Sequence, residues 1–179
     1  LPMPKFQKPI VSNARQIILT DDEFELLYRN LPDHARIVAL FGYETGCRLG
    51  EILGLKWDQA DLHGPPGREG IVRLHVGETK NNQGRSIPLT TRLRVALLNH
   101  SASSSSSPYI FTYRGNQLKD IRGAWKTGCE KSGLVDESGK LLFRFHDLRR
   151  TSVTNMTRAG VPETMIMRIS GHKTRSVFD

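Results

Sequence analysis

Glycine stops commit this chain to short packed helices. Gly46, Gly133, Gly160 and Gly171 each follow a stretch with apolar residues at helical spacing, and glycine past a helix end takes the left-handed C′ conformation without a side-chain clash. Upstream of the first stop, Thr20-Asp21-Asp22-Glu23 reads as a capping box. It opens a helix through Arg29 with Phe24, Leu27 and Tyr28 at helical spacing. Pro32-Asp33 starts a second helix, running through Ile37, Leu40 and Phe41 to Gly46. Leu49 to Leu55 reads as a short buried helix, with Trp57 closing the core over it.

One region breaks the helical period. Ile71-Val72-Arg73-Leu74-His75-Val76 alternates and is β-branched, Asn81-Asn82-Gln83-Gly84 has turn chemistry, and Ser86-Ile87-Pro88-Leu89 is a short apolar return. Together they predict an antiparallel hairpin, to which Asp58 to Leu62 adds a third strand before the Gly64-Pro65-Pro66-Gly67 loop. Helices follow over Thr90 to His100, Leu118 to Lys131 and His146 to Ala159. A last one has Pro162 in its first turn and ends at Gly171. Tyr109-Ile110-Phe111 reads as a brief extended piece, and the serine run Ser101 to Ser107 as a flexible loop. The fold class is therefore α+β, a mostly α-helical body with a small three-stranded antiparallel sheet.

At 179 residues the chain is long enough for a real core. A formal charge of +8 with ordinary hydrophobic content describes a globular domain whose partner is a polyanion. Residues 119–179 hold 12 Lys/Arg against 7 Asp/Glu, so the excess lies mainly in the last third. No stretch approaches the roughly 20 apolar residues of a spanning helix, which favours nucleic acid over membrane and a soluble, cytoplasmic, nucleoid-associated protein. Cys47 and Cys129 lack C-x-x-C spacing and read as reduced thiols, with Cys47 a buried filler. His34, His63, His75 and His100 show no metal-ligand spacing and are assigned to surface or packing. No metal and no cofactor are expected.

The chemistry gathers in a few cationic and imidazole groups. His146 and Arg149 lie three apart at the start of a helix, so both can meet one phosphate near free backbone N–H groups and the positive dipole end. Gly171-His172 puts an imidazole at a helix terminus. Arg48 begins an element at the corner set by Gly46, where Glu51 can orient its guanidinium. Lys80 sits at the hairpin turn, able to reach a DNA backbone and deliver a proton to a leaving oxygen. Singly, each has an ordinary structural explanation: ion pair, cap or solvated charge.

As an ordered set, Thr45-Gly46-Cys47-Arg48-Leu49-Gly50-Glu51, the Lys80 hairpin, His146-Asp147-Leu148-Arg149-Arg150-Thr151 and Gly171-His172 resemble the catalytic domain of the tyrosine recombinases, the phage integrase family. The resemblance runs from about Thr20 to Asp179. It implies that Arg48 and Arg149 clamp the non-bridging oxygens of a scissile phosphate, that Lys80 is the general acid, and that His146 is general base or positions the nucleophile. It further implies that His172 hydrogen-bonds a non-bridging oxygen, and that a tyrosine forms a 3′-phosphotyrosyl bond without metal or ATP. Double-stranded DNA is the implied partner, with a synaptic tetramer assembled on it. Arg150, Lys173 and Arg175 join Arg48, Lys80 and Arg149 as expected DNA contacts. Arg85 and Arg144 are further backbone-contact candidates, and Arg150 has Asp147 as its alternative partner.

The departure concerns the nucleophile. Tyr28, Tyr43, Tyr109 and Tyr113 all precede His146, whereas the family's tyrosine falls about nine residues after the Gly-His histidine, just past Asp179. The expectation is a catalytic domain over residues 16–179, truncated just before the nucleophile tyrosine and inactive alone. The Pro- and Lys-rich residues 1–15 read as the linker from a missing N-terminal core-binding domain. Three rivals are a type IB topoisomerase, a DNA-binding protein of the same fold without catalysis, and a helical protein–protein module. Steep loss of DNA affinity with salt excludes the last.

Overall fold

A computed structural model describes residues 17–63, 70–77, 84–103 and 107–175. The N-terminal Pro/Lys segment, the Gly-Pro loop, the Lys80 hairpin tip and the middle of the serine run lie outside the described residues, as do 176–179. Helix α1 (Asp21–Asn30) starts as its sequence dictates. The Thr20 hydroxyl accepts from the Glu23 N–H at 3.3 Å, while the Glu23 carboxylate accepts from the Thr20 N–H at 2.8 Å. Helix α2 (Asp33–Thr45) stops at Gly46, whose φ of +67° is left-handed. The short α3 (Leu49–Leu53) follows at once, and a single 3-10 turn over Trp57–Gln59 leads into the sheet. Trp57 sits at the core margin, tilted against His100, rather than sealing the core.

Strands β1 (Ala60–Asp61), β2 (Ile71–Leu74) and β3 (Arg85–Pro88) form an antiparallel sheet in that order. Val72 pairs with Ala60 on one side and Ile87 on the other. Alternation carries the burial: Val72, Leu74 and Ile87 face inward, while Arg73 and Ser86 face out. After α4 (Thr91–Ser103) comes a second, two-stranded hairpin, β4 (Thr112–Tyr113) with β5 (Asn116–Gln117), which the sequence reading did not anticipate. Its turn residues Arg114 and Gly115 have φ of 51° and 79°. Arg-Gly serves where Asn-Gly would have been the visible signal. The next helix, α5 (Arg122–Lys131), begins later than Leu118 for a local reason. The Leu118 N–H donates to the Phe111 carbonyl, extending the hairpin pairing, and the Asp120 carboxylate accepts from the Arg122 N–H at 2.9 Å.

The last third is α6 (Asp147–Arg158) and α7 (Glu163–Ser170). Pro162 is the N-cap of α7 rather than a residue of its first turn. Helix α6 lies against α2 and α7, and α7 against β3, around a core that includes Phe24, Phe41, Ile52, Leu93, Phe111 and Leu148. Thr151 on α6 accepts from the Leu19 N–H at 3.2 Å, fastening the chain's entry to this helix. No helix among the described residues is long and apolar enough to cross a membrane.

Candidate active site

Three chain corners meet at Arg149. This residue lies near the start of α6 and is buried, with 4% of its surface exposed. Its Nη1 donates to the Gly46 carbonyl at 2.6 Å, where α2 ends, and to the Ser170 carbonyl, where α7 ends. Its Nε donates to Nε2 of His172 at 3.0 Å. The Nη2 group is buried and has no partner among the described residues. Burial, and then the Arg48 charge, bring the Arg149 pKa down to about 10, so it stays cationic at neutral pH.

Arg48 occupies the N-cap of α3. Its backbone N–H and its Nη1 both donate to the Glu51 carboxylate at 3.0 Å, so Glu51 orients it as the spacing predicts. Glu51 is shared. Arg85 donates Nη2 at 2.6 Å to Oε2, the oxygen that also accepts from the Arg48 N–H, and from Nε reaches the Ile169 carbonyl on α7 at 3.0 Å. Burial pulls the Glu51 carboxyl upward, but hydrogen bonds from Arg85 and Arg48 outweigh it and hold the group below its ordinary range. Arg85 is therefore a largely buried strut between β3, α3 and α7 rather than a solvated charge. The signal was present: Arg85 is two residues before Ile87, so strand alternation aims it inward.

Gly171 is needed twice over. Its φ is +75°, and a β-carbon there would come within 2.9 Å of the Arg85 guanidinium. His172 follows, half-buried, its Nδ1 at 2.8 Å from the Ser170 hydroxyl. Burial, the Arg149 and Arg48 charges, His146 and Arg85 lower its pKa to about 4. His172 is neutral at pH 7. His146, at the N-cap of α6, is exposed and its side chain makes no cap bond. The Asp147 carboxylate instead accepts from the Arg144 N–H at 2.7 Å, so the alternative Arg150–Asp147 pair does not form among the described residues.

Arg48, His146, Arg149 and His172 thus share one neighbourhood, and Lys80 lies outside the described residues. Lys173 is exposed, and Arg175 pairs with Glu163 at 2.6 Å. Cys47 is buried beside Arg85, and burial raises its thiol pKa, in keeping with a buried filler. The tyrosines are engaged elsewhere. Tyr43 stacks on Phe24 and donates to Asp21, Tyr28 faces Arg92, Tyr109 lies against Lys56, and Tyr113 against His34. His172 borders an open groove of about 810 Å³ between β3 and α7, lined by Ile71, Pro88, Met165 and Ile169. Among the described residues no His, Cys, Asp and Glu cluster could hold a metal ion. The arrangement can hold a phosphate between two guanidiniums with imidazoles beside it.

The sequence pattern of the phage integrase family matches residues 18–178. The chain belongs to that family. Its curated relatives include the shufflon-specific DNA recombinase of Escherichia coli, 29% identical over 99% of this chain, and the integrase of Salmonella phage P22, 25% identical over 94%. The chain spans only 42% and 44% of those two proteins' lengths. The fold is that of the tyrosine recombinase catalytic domains. XerA recombinase superposes with a TM-score of 0.70 at 20% identity, over 90% of this chain and 58% of that one. The Tn1549 transposon integrase in complex with a circular intermediate DNA gives 0.74 at 16%, over 91% and 60%. In this member of the family, Arg48 and Glu51 stand at the corner after α2, His146 and Arg149 at the start of α6, and Gly171-His172 at the end of α7.

Proposed function

We propose that residues 16–179 form the catalytic domain of a site-specific DNA recombinase, which cuts and rejoins strands by transesterification. The carrying observation is the Arg149 Nη2 group: buried, cationic and without a partner among the described residues, beside a second, partly open guanidinium on Arg48. A desolvated cation with an unused donor is costly unless an anion completes it. A phosphodiester does so, and Arg48 and Arg149 then stabilise the charge that builds on its non-bridging oxygens.

The other roles follow the family's chemistry. His146 acts as general base or positions the attacking hydroxyl, and Lys80 gives the leaving 5′ oxygen its proton. The resemblance gives His172 a hydrogen bond to a non-bridging oxygen, whereas here its Nε2 accepts from Arg149 and so supports the clamp at that end. The nucleophile is a tyrosine about nine residues beyond His172 in the full-length protein, forming a 3′-phosphotyrosyl bond that conserves the phosphoester. Residues 1–15 link this domain to a core-binding domain, a reading supported by the greater length of the relatives. Arg150, Lys173 and Arg175 contact the DNA backbone, and strand exchange between two duplexes proceeds in a tetramer.

The test traps a covalent protein–DNA complex with full-length protein and a nicked suicide substrate. Accumulation in the wild type and its loss in Arg149→Ala are expected. Salt-sensitive DNA binding with no covalent complex would leave a DNA-binding protein of the same fold. Relaxation of supercoils without a specific site would make it a type IB topoisomerase.

A further inference from the structure

Ser170, the last residue of α7, is fully buried. Its hydroxyl oxygen lies 2.6 Å from the Ile166 carbonyl and 2.8 Å from Nδ1 of His172. A carbonyl oxygen has no proton to offer, so the single hydroxyl proton must lie on the Ile166 contact. The contact with His172 can then be a hydrogen bond only if Nδ1 carries the proton and Ser170 accepts. The other face of the ring demands the same arrangement. Arg149 Nε is always a donor, and at 3.0 Å the Nε2 atom of His172 must present a lone pair to it.

We infer that Ser170 is a positioning residue: it holds His172 as the Nδ1–H tautomer, whose Nε2 lone pair fixes the Arg149 guanidinium. The inference rests on the recombinase reading only for its catalytic consequence. With Nε accepted by His172 and Nη1 by two backbone carbonyls, Nη2 is left as the donor for the phosphate. His172 therefore acts on the phosphate through Arg149. Protonating the ring would set an Nε2–H against the Arg149 Nε–H, and the surrounding Arg48 and Arg85 charges oppose it too. The lowered His172 pKa agrees.

The experiment is nitrogen-15 NMR of histidine-labelled full-length protein at pH 7, with the His172 signal assigned by its absence in His172→Gln. The wild type is expected to show protonated Nδ1 and bare Nε2. An Nε2–H ring or an imidazolium would overturn the inference, even if cleavage were normal. Ser170→Ala removes the acceptor that pins the ring, so His172 should turn away from Arg149 and revert to the tautomer mixture of a free imidazole, and single-turnover cleavage should fall roughly 10–100-fold, the worth of a partner that fixes a metal-bound imidazole. Retention of both the tautomer and the rate in Ser170→Ala would also overturn it. Failure of the recombinase reading looks different, since the wild type would then form no covalent complex whatever tautomer it shows.

Discussion

Arg85 and Arg149 are both largely buried, yet their pKa values move in opposite directions. Arg85 has an anion: burial pulls its pKa down, but the Glu51 carboxylate more than restores it, leaving the group above its ordinary value. Arg149 has no hydrogen-bonded carboxylate among the described residues. Its partners are a neutral imidazole and two carbonyls, and its pKa falls to about 10. The first is a finished structural pair, while the second keeps a buried donor, Nη2, with no partner among the described residues, the donor that the proposed function gives to a phosphate. Sequence similarity of side chains says nothing about this difference, and the identity of the facing group says everything.

The comparison breaks first at Glu51. Removing it in Glu51→Ala leaves Arg85 buried and unpaired and frees Arg48, so unfolding free energy should drop by about 3–5 kcal/mol. Urea denaturation measures it, and a loss below 1 kcal/mol would show that the pair is not structural. Arg149→Met removes a cation with no anion to orphan. It should cost less stability than Glu51→Ala while lowering covalent-complex formation by about 10²–10³-fold. The opposite ranking, with stability lost and cleavage kept, would reverse the two assignments.

A smaller effect sharpens the Arg149 side. His172 titrates near 4 in the folded chain against the ordinary 6.5, so between those values the unfolded chain binds the extra proton. Its contribution to stability is complete above about 6.5 and is lost as pH falls toward 4, amounting to roughly 2 kcal/mol after allowance for solvent screening at a half-buried ring. His172→Gln should flatten the stability profile in that window, and an unchanged slope would mean the ring is not held neutral. The smallest effect concerns an exposed pair. Arg175→Ala breaks the contact with Glu163 at a cost of about 0–1 kcal/mol. If Arg175 meets a phosphate, the log–log slope of DNA affinity against salt should become shallower by about 0.9.

Much of the architecture was legible because its signals are local. The Thr20-to-Glu23 capping box, the Gly46 and Gly171 stops and the Val72/Leu74/Ile87 alternation depend on neighbours a few residues away, and the structure follows them. Where local signals were weaker, the reading slipped. The Arg114-Gly115 hairpin lacks the usual turn residues, and the start of α5 moved because Leu118 pairs with Phe111. Arg48, His146, Arg149 and His172 could be named from motif order alone. The amino-acid sequence fixed which groups are available and at which helix ends they stand.

Only tertiary packing decided what each group does. Gly46 lies 103 residues before Arg149, Arg85 84 before Ile169, and Glu51 34 before Arg85. Such contacts depend on how distant elements settle against one another, so no local propensity encodes them. Their consequences are electrostatic: which guanidinium receives a carboxylate, which is left with a free donor, and which nitrogen of His172 keeps its proton.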